Sequence, residues 1–149
     1  MTTVKELMID DVVRDIKNKT TIRVAKIDKI AIRDADEEIF FSDEIEPIIL
    51  TKDILEANNF KRIIMENYTD SSCFRVLGEC FCYDIKGLGI DIRTSYERVG
   101  VRGGFSHILV RNKKNYACVE NLDYVQVHQL QHALRLCGLN DIADNFKIE

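Results

Sequence analysis

The sequence predicts an α+β protein: a small N-terminal SH3-like β-barrel, then an antiparallel sheet covered by a C-terminal helix. Three observations lead there. Short alternating segments split by polar turns fill the first fifty residues. Glycine-punctuated, β-rich runs occupy the stretch from Phe60 to Glu120. Near the C-terminus Val127, Leu130, Leu134 and Cys137 recur at steps of 3, 4 and 3, one apolar stripe of a helix. A length of 149 residues suits one domain or two small modules sharing a core. The expected division is 1–50 and 51–149, packed as one unit.

Each element has a local reason. Val12-Val13 begins the first strand after Asp10-Asp11. Thr21 to Ile27 alternates, with Ile22, Val24 and Lys26 on one face and Arg23, Ala25 and Ile27 on the other. Lys29–Arg33 extends or pairs with that strand, and Glu38–Phe41 and Ile45–Leu50 supply two more. Thr51 is placed to cap a short helix over Lys52–Asn59, with Asp53 at its positive end and Asn58-Asn59 as its stop. Further strands are expected at Arg62–Asn67, Phe74–Tyr83, Gly89–Ser95, His107–Asn112 and Tyr116–Glu120, with a hairpin turn at Asn112–Asn115. Asn121 or Asp123 is the expected cap of the long helix, which runs to Cys137 with Gly138 beyond it. Asn140 would cap a last helix carrying Ile142, Ala143 and Phe146.

Composition narrows the classes. Hydrophobic residues make up 46% and charged residues 31%, a globular balance rather than that of a disordered chain. The net charge of −4 argues against general nucleic-acid binding. No apolar run approaches the ~18 residues that cross a bilayer. The start, MTTVKELMIDD, has no apolar h-region, so a cytoplasmic protein is expected. Five cysteines, an odd number, read as reduced thiols packed as small hydrophobes. Cys80 and Cys82 would share a strand face, but no CxxC knuckle accompanies them, so no metal is expected.

The clearest departure from average lies between Arg93 and Lys114, where six basic residues face one acid, Glu97. Arg93, Arg98, Arg102 and Arg111 could grip phosphate oxygens bidentately. Tyr96 and Phe105 could stack on a base, and the Gly103-Gly104 backbone could donate to an anion. The plainer alternative is a hairpin tip with solvated arginines. Gly87-Leu88-Gly89 begins like a dinucleotide fingerprint but lacks the third glycine.

Other constellations are weaker. His128 and His132 share a helix face, but the glutamate of a zinc-protease motif is missing and Arg135 would repel a cation. They read as the polar flank of an amphipathic helix. The acidic run Asp34–Glu46 lacks the spacing and glycine of a calcium loop and reads as a solvated rim. Ser106-His107 lacks the context of a nucleophile elbow.

Three segments resemble known sequences. IEPIILTKDILEANNF, from Ile45 to Phe60, resembles the IEPIPLTEEILEKNGF segment of small uncharacterised proteins of Bacteroidota and their phages. The helix around His128-Gln129-Leu130-Gln131 resembles their YVHQLQ helix, with two extra residues after Tyr124. Leu7 to Val13 is similar to their LxIGDxV opening, with Asp10 where glycine is usual. The resemblance covers about a quarter of the chain. It implies a fold and a phage or mobile-element origin, with no particular chemistry.

Three functions are therefore weighed. The first is a non-enzymatic phage accessory protein, acting in the host cytoplasm, that sequesters an anionic small molecule such as a cyclic nucleotide or ADP-ribose derivative. It would have no cofactor, and a pocket shared by a homodimer would enclose more of the ligand. The second is a protein-interaction module that inhibits or adapts a host or phage protein. The third, a phosphate-ester hydrolase, lacks a visible acid–base or metal set.

Overall fold

The computed structural model describes residues 4–63, 81–85, 90–94, 104–105, 107–121 and 123–148. These residues form an α+β structure, with three antiparallel sheets and few helices among them. A 3-10 turn at Val4–Glu6 leads into β1 (Val12–Asp15), β2 (Thr21–Arg23), β3 (Lys26–Ile27), β4 (Ala31–Arg33), β5 (Ile39–Phe41) and β6 (Ile45–Glu46). These strands make two three-stranded sheets, ordered β2-β1-β6 and β3-β4-β5. No hydrogen-bonded ladder among the described residues joins them into a closed barrel.

The alternating run from Thr21 to Ile27 is split between the two sheets. Val24 pairs back to Asp10 and Asp11, while Ala25 donates to Arg33 O, so the chain turns a corner there. The alternation still sets the faces, because Ile22 and Val24 are both buried. Pro47 shortens the strand expected over Ile45–Leu50: it has no N–H to give a ladder, and β6 ends at Glu46.

Strand β1 separates two apolar cores. Successive side chains of a strand point to opposite faces. Val13 therefore packs with Val4, Ile22, Ile32, Phe40 and Ile45 in a small N-terminal core. Val12 packs into the larger core, with Leu50, Phe60, Ile108, Leu130 and Phe146.

The second half begins with α1 (Lys52–Ala57). Thr51 Oγ1 accepts Ile54 N–H at 3.3 Å, the cap that the sequence calls for. Asn59 takes a left-handed φ of 67° past the helix end. Strands β7 (Lys61–Ile63), β8 (Phe81–Ile85), β9 (Ile90–Thr94), β10 (His107–Asn112) and β11 (Asn115–Glu120) form the sheet β11-β10-β9-β8-β7. The turn between β10 and β11 falls at Lys113-Lys114 as expected, with Lys113 left-handed. Of the two strands expected over Arg62–Asn67 and Phe74–Tyr83, residues 64–80 lie outside the described set, Cys73 and Cys80 among them.

Helix α2 (Val127–Leu136) packs its stripe on this sheet, and α3 (Asn140–Asp144) follows. Gln126, not Asn121 or Asp123, is the residue before the first helical turn, and its N–H is accepted by Gln129 Oε1 at 2.9 Å. The start is delayed because Val125 is held extended. Its N–H donates to Phe105 O and its carbonyl accepts Leu50 N–H. Likewise Leu139, not Asn140, precedes α3. Cys137 is buried, but Cys118 is exposed on β11, where Ala117 and not Cys118 turns inward. That corrects the reading of every thiol as core.

Candidate functional site

The residues expected to bind an anion fall into three groups. Tyr96, Arg98, Arg102 and Gly103 lie outside the described residues, as does Gly87-Leu88-Gly89. Arg93 is a backbone position in β9, opposite Leu109. Arg111 lies on β10, partly exposed, with Nε 4.0 Å from Asp91 Oδ1.

The remaining two serve the core. Phe105 has no exposed surface and packs in the larger core, which removes it from a stacking platform. Gly104 bridges to Thr51. A Cβ there would meet Tyr124 Cδ1 at 2.6 Å and Ile49 Cγ2 at 3.3 Å, so close packing accounts for this glycine.

The polar flank of α2 is covered by other parts of the chain. It meets the N-terminal module at a buried seam. The Asp11 carboxylate, fully buried, accepts Arg135 Nη1 on Oδ1 at 2.6 Å and Met8 N–H on Oδ2 at 2.8 Å. His132 Nε2 also lies 2.6 Å from Oδ2. Gln131, also fully buried, accepts Val12 N–H at 3.0 Å and donates to Asp10 O and Ala143 O. From β2, the Arg23 guanidinium donates to the carbonyls of Asp10, Asp144 and Phe146.

His128 lies beside this seam, its ring 5.7 Å from that of His132. It is 2% exposed and its Nδ1 has no hydrogen-bond partner among the described residues. Burial lowers its pKa below the ordinary imidazole value; Asp11 and Glu6 pull the other way, and His132 adds to the lowering. The signal for this seam was present in the sequence. His128, Gln131, His132 and Arg135 recur at helical spacing beside the apolar stripe. The Asp11–His132 pair could orient an imidazole for base catalysis, but no Ser, Thr or Cys among the described residues bonds to His132. Nor, among those residues, is any group of three His, Cys, Asp or Glu placed to hold a metal.

A second surface lies on the N-terminal module, around β5 and the Val4–Glu6 turn. The side-chain pattern of β5 buries Phe40 and turns Ile39 and Phe41 outward, both 44% exposed. Two concavities border this region, of about 510 and 480 Å³. Both are lined by Val4, Lys5, Lys29 and Ile30; Phe41 closes one and Ile27 the other. Ile30 is 67% exposed at the turn between β3 and β4. Sequence reasoning missed this groove because Ile27, Ile30 and Phe41 sit among strand residues that normally face inward. In the fold Phe41 alternates outward from Phe40 along β5, Ile30 stands in the turn between β3 and β4, and Ile27 is half-exposed on β3, an edge strand of its sheet.

Comparison with known proteins gives no family for the chain: no protein-family model, curated protein or solved structure matches it. Among the described residues no helix is long and apolar enough to cross a membrane.

Proposed function

We propose that this chain is a non-enzymatic protein-interaction module of phage-accessory type, acting in the host cytoplasm, whose N-terminal part docks a segment of a partner protein and so inhibits or adapts it. The observation that carries this reading is the groove over Val4 and Ile30, edged by Ile27 and Phe41. Single exposed hydrophobic residues are ordinary, but several around one concavity mark an interaction surface. An SH3-like arrangement of the two small sheets is part of the proposal. The shared core of Val13, Ile22, Ile32 and Ile45 supports it. The groove is mainly aliphatic with Phe41 at one end, so a proline-rich ligand, which seeks aromatic ridges, is not favoured.

The test is to pan displayed random peptides on the native chain and on an Ile30→Asp variant. Ile30 is exposed, so the change leaves the core intact. Peptides that bind the native chain and not the variant support docking at the groove; peptides that bind both equally exclude it.

A second reading keeps the anionic ligand. The excess of basic residues between Arg93 and Lys114 supports it, with Lys113 and Lys114 both exposed. A thermal-shift screen of cyclic nucleotides and ADP-ribose derivatives tests it. A ligand at a hundredfold its Kd adds about 2.7 kcal/mol, and an Arg98→Glu/Arg102→Glu variant should lose the shift while remaining folded.

A further inference from the structure

We infer that the partner segment in this groove combines apolar side chains with carboxylates, an inference that rests on the docking reading above. Lys5 and Lys29 line both concavities, together with Val4 and Ile30. Both lysines are exposed, and neither makes an ion pair among the described residues. Other cations of the same module are engaged: Lys19 with Glu46, Lys26 with Glu37, and Arg33 with Asp28 and Glu37. Of the two acids at the groove, Asp28 is already held 3.6 Å from Arg33 Nε. Asp43 lies at the other end, in the concavity closed by Phe41.

The module as a whole is acidic, with eight basic and twelve acidic residues up to Leu50. Two unengaged ammonium groups beside an apolar floor are therefore a local reversal of its charge. A neutral apolar segment would strip water from them without compensation. A basic segment would be repelled. A segment with Asp or Glu beside its apolar anchors would pair with both lysines, and Asp43 keeps its acidic part away from the Phe41 end. Charge arranged in this way selects the partner and its orientation more than it adds affinity.

The experiment pans displayed random peptides on the intact chain and on a Lys5→Glu/Lys29→Glu variant, with folding of each verified by thermal melting. Peptides retained by the native chain should carry Asp or Glu beside Ile, Leu, Phe or Trp. They should bind the double variant about tenfold more weakly at low salt, and high salt should narrow that difference. The variant should instead retain peptides with Lys or Arg beside the same apolar residues. Peptides that need Ile30 but show no acidic preference would overturn the inference and leave the docking reading standing. Peptides indifferent to Ile30→Asp would overturn both. Self-association of the native chain abolished by Ile30→Asp would assign the groove to a second copy and also overturn the inference.

Discussion

The Asp11 carboxylate and the Arg135 guanidinium meet at 2.6 Å although 124 positions separate them in the chain. The pair joins the start of β1 to the last turn of α2, and so the N-terminal module to the helix that covers the large sheet. Asp11 has no exposed surface, so removing Arg135 takes one cation from a buried carboxylate that keeps His132 and the Met8 N–H, and removing Asp11 takes the buried anion from Arg135, which keeps Asp144 and the Ile9 carbonyl. Asp11→Ala is expected to lower unfolding stability by about 3–5 kcal/mol. Arg135→Ala should cost a comparable amount, and the double variant less than the sum. Urea unfolding of the three variants measures this; additive losses would show that the two groups act independently.

Asp10 adopts φ 70°, where a side chain is strained and glycine is not. Its role in the seam is carried by its carbonyl, which accepts Arg23 Nη1 and Gln131 Nε2. Asp10→Gly keeps that carbonyl and removes the strain. It is expected to stabilise the chain by about 0.5–1 kcal/mol, seen as a higher urea midpoint with an unchanged slope.

Acid should weaken the fold through its histidines. Burial lowers the pKa of both His128 and His107, with Glu120 opposing at His107. The unfolded chain therefore binds protons more readily than the folded one, so stability is full above the ordinary imidazole pKa and declines as pH falls through and below it. His128→Gln should flatten part of this acid limb. Stability curves across neutral and mildly acid pH, compared between native and variant, provide the check; parallel curves would contradict the assignment.

Phe105 and Gly104 should behave as packing residues. Phe105→Ala is expected to cost about 3–5 kcal/mol, the range for a fully buried phenylalanine. Gly104→Ala forces a Cβ against Tyr124 and is expected to cost about 1–3 kcal/mol. Both losses should appear in thermal or urea unfolding of the protein alone. A ligand-stacking Phe105 would instead leave the melt of the free chain unchanged.

Local chemistry was legible in the sequence where it is self-contained. Thr51 caps α1, Lys113-Lys114 turns the last hairpin, and the stripe from Val127 to Cys137 faces the core. What escaped depends on partners distant in the chain. The cap of α2 shifts to Gln126 because Val125 is held between Leu50 and Phe105. His128 and His132 read as a polar flank, and nothing local shows that Asp11, at the start of β1, meets His132 and Arg135 there. No local pattern sets Ile30 and Phe41 apart from the apolar residues around them; Ile30 stands exposed in the turn between β3 and β4, and Phe41 points away from the core that takes Phe40. Periodicity finds a face, but only the tertiary arrangement shows what covers it.

Docking at the N-terminal groove is the central claim, and amide chemical-shift mapping tests it most directly. A peptide selected on the native chain would be titrated into isotope-labelled protein. The account predicts shifts clustered at Lys5, Ile27 to Ile30 and Phe41 to Asp43, and their loss in Ile30→Asp. Shifts confined to positions 93–114, or unchanged in Ile30→Asp, would contradict it.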